Sequence, residues 1–235
     1  TVTTEHKLRS ALQKGGRMQK ESLKQQAYNA IKAKILNCEY APNTFINEEL
    51  LREEVSASRT PVRDAISRLE QEGLVKILPK KGIMVSDLSL SQINMIYETR
   101  MMLEPYAILH YGNRIEQDVY MKYYQDYQAY LKGADLPYSY DDMDDLFHQM
   151  FIDATSNVYF LKTYELINSQ IKRMRIMSGE CSEKRRKETI QEHLKITKCA
   201  LKQDWDGASE AMKEHLHFSK NAIFELLFKG NDWSL

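Results

Sequence analysis

The chain is short of the residues that break helices, with 9 glycines and 5 prolines among 235 residues. This scarcity excludes collagen-like and loop-dominated folds and favours long helices. No apolar run approaches the roughly 18–20 residues that a membrane-spanning helix needs. The first residues also lack the apolar core of a secretory signal. We therefore expect a cytoplasmic protein with no membrane partner.

Cysteine is equally scarce, and the three that occur are far apart: Cys38, Cys181 and Cys199. No two of them form a C-x-x-C pair. An odd number without a regular spacing predicts reduced thiols and argues against a disulfide framework or a zinc knuckle.

No charge of either sign is in excess, because 33 Lys and Arg balance 33 Asp and Glu. A net charge of zero argues against a protein that coats nucleic acid. The charges are nevertheless divided: residues 1–90 contain 15 basic and 11 acidic side chains, and residues 91–235 contain 18 and 22. This division indicates a basic amino-terminal module joined to an acidic carboxy-terminal one.

Helical periodicity begins after a polar extension over residues 1–20. Apolar residues at helical spacing over residues 23–36 predict a first helix. A second helix is predicted over residues 48–55, with Asn47 as its N-cap.

A third helix is predicted to have Thr60 as its N-cap, Pro61 as its first residue and Gly73 just past its end. The β-rich segments 74–78 and 83–85 flank a turn and predict a hairpin. Three helices followed by a hairpin is the order of a winged helix–turn–helix, which we place at residues 21–86.

The third helix has one apolar face and one polar face. Val62, Ile66 and Leu69 repeat at helical spacing and must point inward. Four residues are then expected to point outward, where a recognition helix meets DNA bases: Arg59, Thr60, Arg63 and Ser67. Lys80 and Lys81 lie at the tip of the predicted wing. An ordinary solvated helix face is the alternative, and the full order of elements argues against it.

Beyond a polar joint at residues 87–91 every segment has helical periodicity. Six helices are predicted, over residues 91–112, 116–132, 138–154, 158–178, 183–203 and 206–228. Six helices in this length predict a helical bundle, which we place at residues 91–230. The overall fold class is therefore mainly α.

The bundle contains a set of residues that is competent to bind a metal. Asp144 and His148 are one helical turn apart and leave the same face of their helix. His193 and His215 lie on the last two helices. One carboxylate and three imidazoles suit Zn²⁺, with Ni²⁺ or Mn²⁺ also possible. Spacing alone does not establish that the four converge, and structural histidines are the alternative.

The segment Ser58-Arg59-Thr60-Pro61-Val62-Arg63-Asp64-Ala65 and its continuation to Val75 resemble the S-R-T-P-V-R-(E/D)-A-L-x-R-L-x-x-E-G-L-V signature of GntR-type bacterial transcription regulators. This resemblance implies recognition roles for Arg59, Thr60 and Arg63, and a wing role for Gly82. The chain departs from the family where Ser56 replaces the usual glycine, so Ser56 must adopt the turn conformation without the freedom of glycine.

The bundle resembles the FCD effector domain of the FadR branch of these regulators. The matching elements are D-x-x-F-H at residues 144–148, the E-H and H-L pairs at 192–193 and 215–216, and R-x-x-L-E at 100–104. The resemblance implies that Asp144, His148, His193 and His215 bind the metal.

A carboxylate effector would then fill an open metal position, and a nearby arginine would bind the rest of the anion. Arg100 is the first candidate for that arginine, and Arg173 and Arg175 follow. A salt bridge within the bundle, for example from Arg100 to Glu104, is an equal alternative for each.

The sequence therefore predicts a homodimeric repressor of a catabolic operon that binds palindromic operator DNA and senses a small carboxylate through a metal. One alternative is a metal-dependent hydrolase or lyase, for which Asp145 would be the general base. The other is a regulator whose histidines are purely structural.

Overall fold

The computed structural model describes residues 22–87, 89–177 and 182–229. The predicted extension at residues 1–20 and Cys181 lie outside the described residues. The chain divides into two compact units between Asp87 and Leu88. Within the described part the fold is mainly helical, as predicted.

Over its described residues, 22–87, the first unit has three helices: α1 (Leu23–Leu36), α2 (Glu48–Glu54) and α3 (Arg59–Gln71). Three strands follow the chain between and after them: β1 (Phe45–Ile46), β2 (Val75–Leu78) and β3 (Gly82–Val85). The strands form an antiparallel sheet in the order β1-β3-β2. The predicted hairpin is confirmed, and β1 is an additional two-residue strand that the sequence pattern did not predict.

The start of α3 corrects one prediction. Thr60 is not the N-cap, because Ser58 has the extended backbone conformation of a cap and the helix begins at Arg59. Pro61 is therefore the third helical residue. Its missing N–H costs nothing there, because the first-turn N–H groups of a helix have no intrahelical acceptor.

In the turn between α2 and α3, Ser56 adopts the turn conformation that was expected of it as the replacement for the usual glycine. Ser56 has a φ of 51°, in the left-handed region that glycine adopts most easily. Asn47 caps α2 as predicted, since its side chain accepts a hydrogen bond from the N–H of Leu50 at 2.6 Å.

In the part of the second unit that the structure describes there are six α-helices, as predicted: α4 (Leu90–Tyr111), α5 (Gln117–Leu131), α6 (Tyr140–Thr155), α7 (Val158–Met177), α8 (Glu183–Leu201) and α9 (Trp205–Lys229). A short 3-10 helix, Gly112–Arg114, follows α4. Helix α4 packs against α9, α6 and α7, and α8 packs against α5 and α9. Tyr120, Tyr123 and Tyr127 of α5 are buried in the bundle core and pack against aromatic rings, including Phe147 and Phe151.

Candidate functional site

The recognition helix α3 has the two faces that its sequence predicts. Val62, Ala65 and Leu69 are completely buried in the core of the first unit. The predicted DNA-contact residues Arg59, Thr60, Arg63 and Ser67 are all exposed. The Nε atom of Arg63 donates to Oε2 of Glu48 at 2.9 Å, yet its side chain keeps 68% of its exposure. The structure thus presents these four residues outward on one element.

The turn of the wing exposes Lys80, Lys81 and Gly82. Lys80 has a φ of 63° and Gly82 a φ of 108°, so both have left-handed backbone conformations. A side chain at Gly82 would be strained by this φ, although its Cβ would make only an ordinary contact, 3.6 Å from the backbone oxygen of Ile46. The tight turn therefore places two cations at the end of the hairpin.

In the second unit the three predicted histidine ligands come together from three helices. His148 lies on α6, His193 on α8 and His215 on α9, and one ring nitrogen from each lies within 4.8 Å of the other two. All three side chains are buried. Nε2 of His193 is 3.4 Å from Nε2 of His215. A set of neutral nitrogens this close together suits a bound cation.

Asp144 completes the predicted set. Its Oδ1 atom is 3.7 Å from Nε2 of His193 and 4.0 Å from Nε2 of His148. Burial disfavours the charged carboxylate, but the neighbouring Arg175 and the histidines hold the pKa of Asp144 well below its usual range. The cluster therefore contains one anionic oxygen and three imidazoles.

Two carboxylates that the sequence analysis did not connect to the histidines orient two of the rings. Oε2 of Glu104 is 2.7 Å from Nδ1 of His148, and Oε2 of Glu192 is 2.8 Å from Nδ1 of His215. Because an ionised carboxylate only accepts hydrogen bonds, Nδ1 carries the proton in each ring. The lone pair is then on Nε2, the nitrogen that metal-binding histidines use when a carboxylate holds Nδ1.

The protonation states also suit a metal. Although burial opposes it, the charge of Arg100 and the hydrogen bond with His148 lower the pKa of Glu104 to about 2. Burial, together with the neighbouring histidines, lowers the pKa values of His193 and His215 well below 6.5. Neutral imidazole is the form that binds metal ions. Nε2 of His148 is buried and has no hydrogen-bond partner among the described residues.

A cavity of about 80 Å³ adjoins this cluster, and Asp144, His148 and His215 form part of its wall. Four arginines also line it: Arg100, Arg175, Arg185 and Arg186. Arg100 and Arg175 were predicted from the sequence as effector-binding residues, whereas Arg185 and Arg186 were not.

The three arginines that were predicted to bind an effector have different surroundings. Arg100 is buried and its Nε donates to Glu104 at 2.6 Å, which is the salt bridge considered as the alternative. Nη1 of Arg175 lies 3.3 Å from Oδ2 of Asp144, and the same guanidinium group also contacts Asp145. Arg173 is buried and donates a hydrogen bond to Gln170 at 3.0 Å. Among the described residues that line the cavity, Arg173 does not occur.

The remaining histidines of the bundle lie away from this cluster. His217 is exposed on α9. His110 is also exposed, and its ring lies 4.3 Å from that of Tyr106.

Comparison with known proteins assigns both units. Residues 23–85 match the gntR family of bacterial regulatory proteins, and residues 95–218 match the FCD domain. The chain therefore belongs to the GntR-type transcription regulators that carry an FCD domain. The family and its members are DNA-binding regulators and not enzymes, so the hydrolase or lyase alternative is wrong.

Individual relatives extend this comparison over most of the chain. The HTH-type transcriptional repressor RspR of Escherichia coli (strain K12) is 24% identical over 215 residues, covering 91% of this chain and 94% of RspR. A GntR transcriptional regulator from Rhodococcus sp. RHA1 has the same fold, with a TM-score of 0.71, 13% identity and coverage of 87% of this chain and 99% of that one.

The Zn²⁺-bound FCD domain of TM0439 has a TM-score of 0.50 and 21% identity, covering 61% of this chain and 99% of that one.

Over the residues that the structure describes, no helix is both long and apolar enough to cross a membrane.

Proposed function

We propose that this regulator is a homodimeric repressor of a catabolic operon. Residues 21–86 would bind a palindromic operator through Arg59, Thr60, Arg63 and Ser67, with Lys80, Lys81 and Gly82 on the wing. Residues 91–230 would form the effector-binding and dimerisation domain. The exposure of these seven residues and the repressor RspR among the relatives support this assignment.

The helical domain would hold a divalent metal through Asp144, His148, His193 and His215. The observation that carries this proposal is the convergence of three buried imidazoles and one carboxylate from three helices. Nε2 of His148, which has no hydrogen-bond partner among the residues that the structure describes, fits a metal better than a structural role, because a buried polar atom without a partner is costly. Zn²⁺ suits three nitrogens and one oxygen best, and the solved FCD domain of TM0439 holds this ion. Ni²⁺ and Mn²⁺ are the other candidates.

The effector would be a small carboxylate bound in the adjoining cavity. When bound, the metal supplies a positive charge and an open position for an anionic oxygen. Arg175 and Arg100 line the same cavity and present guanidinium groups, which match a carboxylate in shape and charge. Arg173 fits this role less well, because it bonds Gln170 and the cavity wall does not include it.

Elemental analysis of protein purified without a metal-affinity column tests the metal. About one equivalent of zinc, nickel or manganese per chain supports the proposal, and its absence favours structural histidines. A gel-shift assay with the DNA upstream of its own operon tests repressor binding. Small carboxylates that change this shift in metal-loaded protein, and not in chelated protein, would identify the effector class.

A further inference from the structure

His148 and His215, two of the proposed metal ligands, each contact a glutamate, and each of these glutamates also bonds an arginine of the cavity wall. In the first case, Glu104 accepts from Nε of Arg100 at 2.6 Å and contacts Nδ1 of His148 at 2.7 Å. The arginine and the glutamate are one turn apart on α4, and their side chains are almost completely buried. The same carboxylate therefore bonds a guanidinium on one side and an imidazole on the other.

The second case repeats this arrangement on a different helix. Glu192 receives both terminal nitrogens of Arg185, at 2.6 and 3.0 Å, and contacts Nδ1 of His215 at 2.8 Å. The two charged side chains are 14% and 16% exposed, so water competes little with these contacts. Because the same arrangement of an arginine, a glutamate and a histidine occurs at two ligands of one cluster, the contacts have a common consequence for these ligands.

That consequence follows from how a carboxylate acts on a metal-binding imidazole. A carboxylate bonded to Nδ1–H orients the ring and strengthens Nε2 as a donor. A guanidinium bonded to the same carboxylate neutralises part of its negative charge. Arg100 and Arg185 therefore weaken the effect of Glu104 and Glu192 on the histidines while they hold both carboxylates in place.

We infer that the pairs Arg100–Glu104 and Arg185–Glu192 restrain the metal affinity of this domain and that an anion in the cavity relieves the restraint. Both arginines line the cavity. An anion that accepts hydrogen bonds from their guanidinium groups competes with the glutamates and returns negative charge to the imidazoles. Metal binding then tightens, and by reciprocity the metal tightens binding of the anion. This inference rests on the proposed metal site.

Zinc alone provides the first test, with affinity measured by competition against a chromophoric chelator. Glu192→Gln should weaken zinc binding by about 10- to 100-fold, the usual cost of losing a residue that supports a metal ligand. Arg185→Gln should change the affinity in the opposite direction and tighten zinc binding several-fold. A purely structural ion pair predicts weaker binding in both variants, because each breaks the same contacts. In the double variant that combines Arg185→Gln with Glu192→Gln, the tighter zinc binding caused by Arg185→Gln alone should disappear.

Lys195→Gln is the matched control for loss of a positive charge. Lys195 lies on the same helix and pairs with Glu214 at the exposed surface, so this variant should bind zinc as the wild type does. Arg185→Lys retains the charge and loses the two-pronged contact, and it should give a smaller gain than Arg185→Gln. It also keeps the inference testable if the glutamine variant does not fold, as judged by circular dichroism.

Sodium acetate provides the second test, as a simple carboxylate probe. Acetate should tighten zinc binding to the wild type. The ratio of the zinc affinity with acetate to that without acetate should fall towards one in Arg185→Gln. If this ratio in the variant is as large as in the wild type, or if acetate has no effect on the wild type, then an anion does not relieve the restraint. Failure of Arg185→Gln to tighten zinc binding would overturn the restraint itself. Failure of the wild type to bind zinc, nickel and manganese alike would instead refute the proposed metal site.

Discussion

His193→Ala should abolish the stabilisation that a bound metal gives to the helical unit. His193 is completely buried on α8, and its Nε2 atom lies 3.4 Å from His215 and 3.7 Å from Asp144. The proposed ligands come from α6, α8 and α9, so a metal would connect three helices. Removing the ligand on α8 leaves this helix without the connection to α6 and α9 that a metal would provide.

The magnitude follows from binding linkage. A ligand present at a thousand-fold excess over its dissociation constant stabilises the folded state by about 4 kcal/mol. A unit of this size gains roughly 2–4 °C in melting temperature per kcal/mol. Zinc should therefore raise the melting temperature of the wild type by roughly 8–16 °C relative to chelated protein. Most of this increment should be missing in His193→Ala.

The increment is the correct readout because the substitution also affects packing. The His193 ring lies 4.5 Å from the ring of Phe147, so truncation lowers stability with or without metal. Differential scanning fluorimetry with zinc and with chelator separates the two effects. His217→Ala, at an exposed position on the last helix, is the control and should retain the full increment. If His193→Ala retains it as well, the histidines do not bind the metal.

Three further predictions concern the first unit. Arg63→Ala should weaken specific operator binding by about 1–3 kcal/mol in a gel-shift titration while the fold is unchanged; wild-type affinity would show that the recognition face is misplaced. Lys81→Ala should weaken binding to all DNA sequences alike and reduce the slope of log affinity against log salt by about one; a sequence-dependent loss would contradict a backbone contact. Ser56→Gly should stabilise the protein by roughly 0.5–1 kcal/mol in urea unfolding, because relief of the positive φ, worth roughly 1–2 kcal/mol, exceeds the entropic cost of a more flexible unfolded chain; a lower midpoint would refute this reasoning.

Most of the secondary structure followed from the sequence because its causes act within a few residues. The apolar spacing of α3, the cap at Asn47 and the turn at Gly73 each depend on near neighbours, and the structure confirms all three. The N-cap of α3 was wrong by two residues, since Ser58 and Thr60 are both acceptable capping residues. Strand β1 was missed because two residues carry no detectable alternation and its pairing with β3 joins distant parts of the chain.

By itself, the sequence determined the order of the elements, the family signatures and the types of residue available to a metal and to DNA. Only the tertiary structure decided which side chains meet. Glu104 and His148 are 44 residues apart, and so are outside any local pattern, yet they are in contact. Likewise Glu192 contacts His215, 23 residues further along the chain, and Arg185 enters the cavity wall. The physical reason is that spacing along a helix defines only its own faces, whereas the packing of one helix against another determines which faces converge.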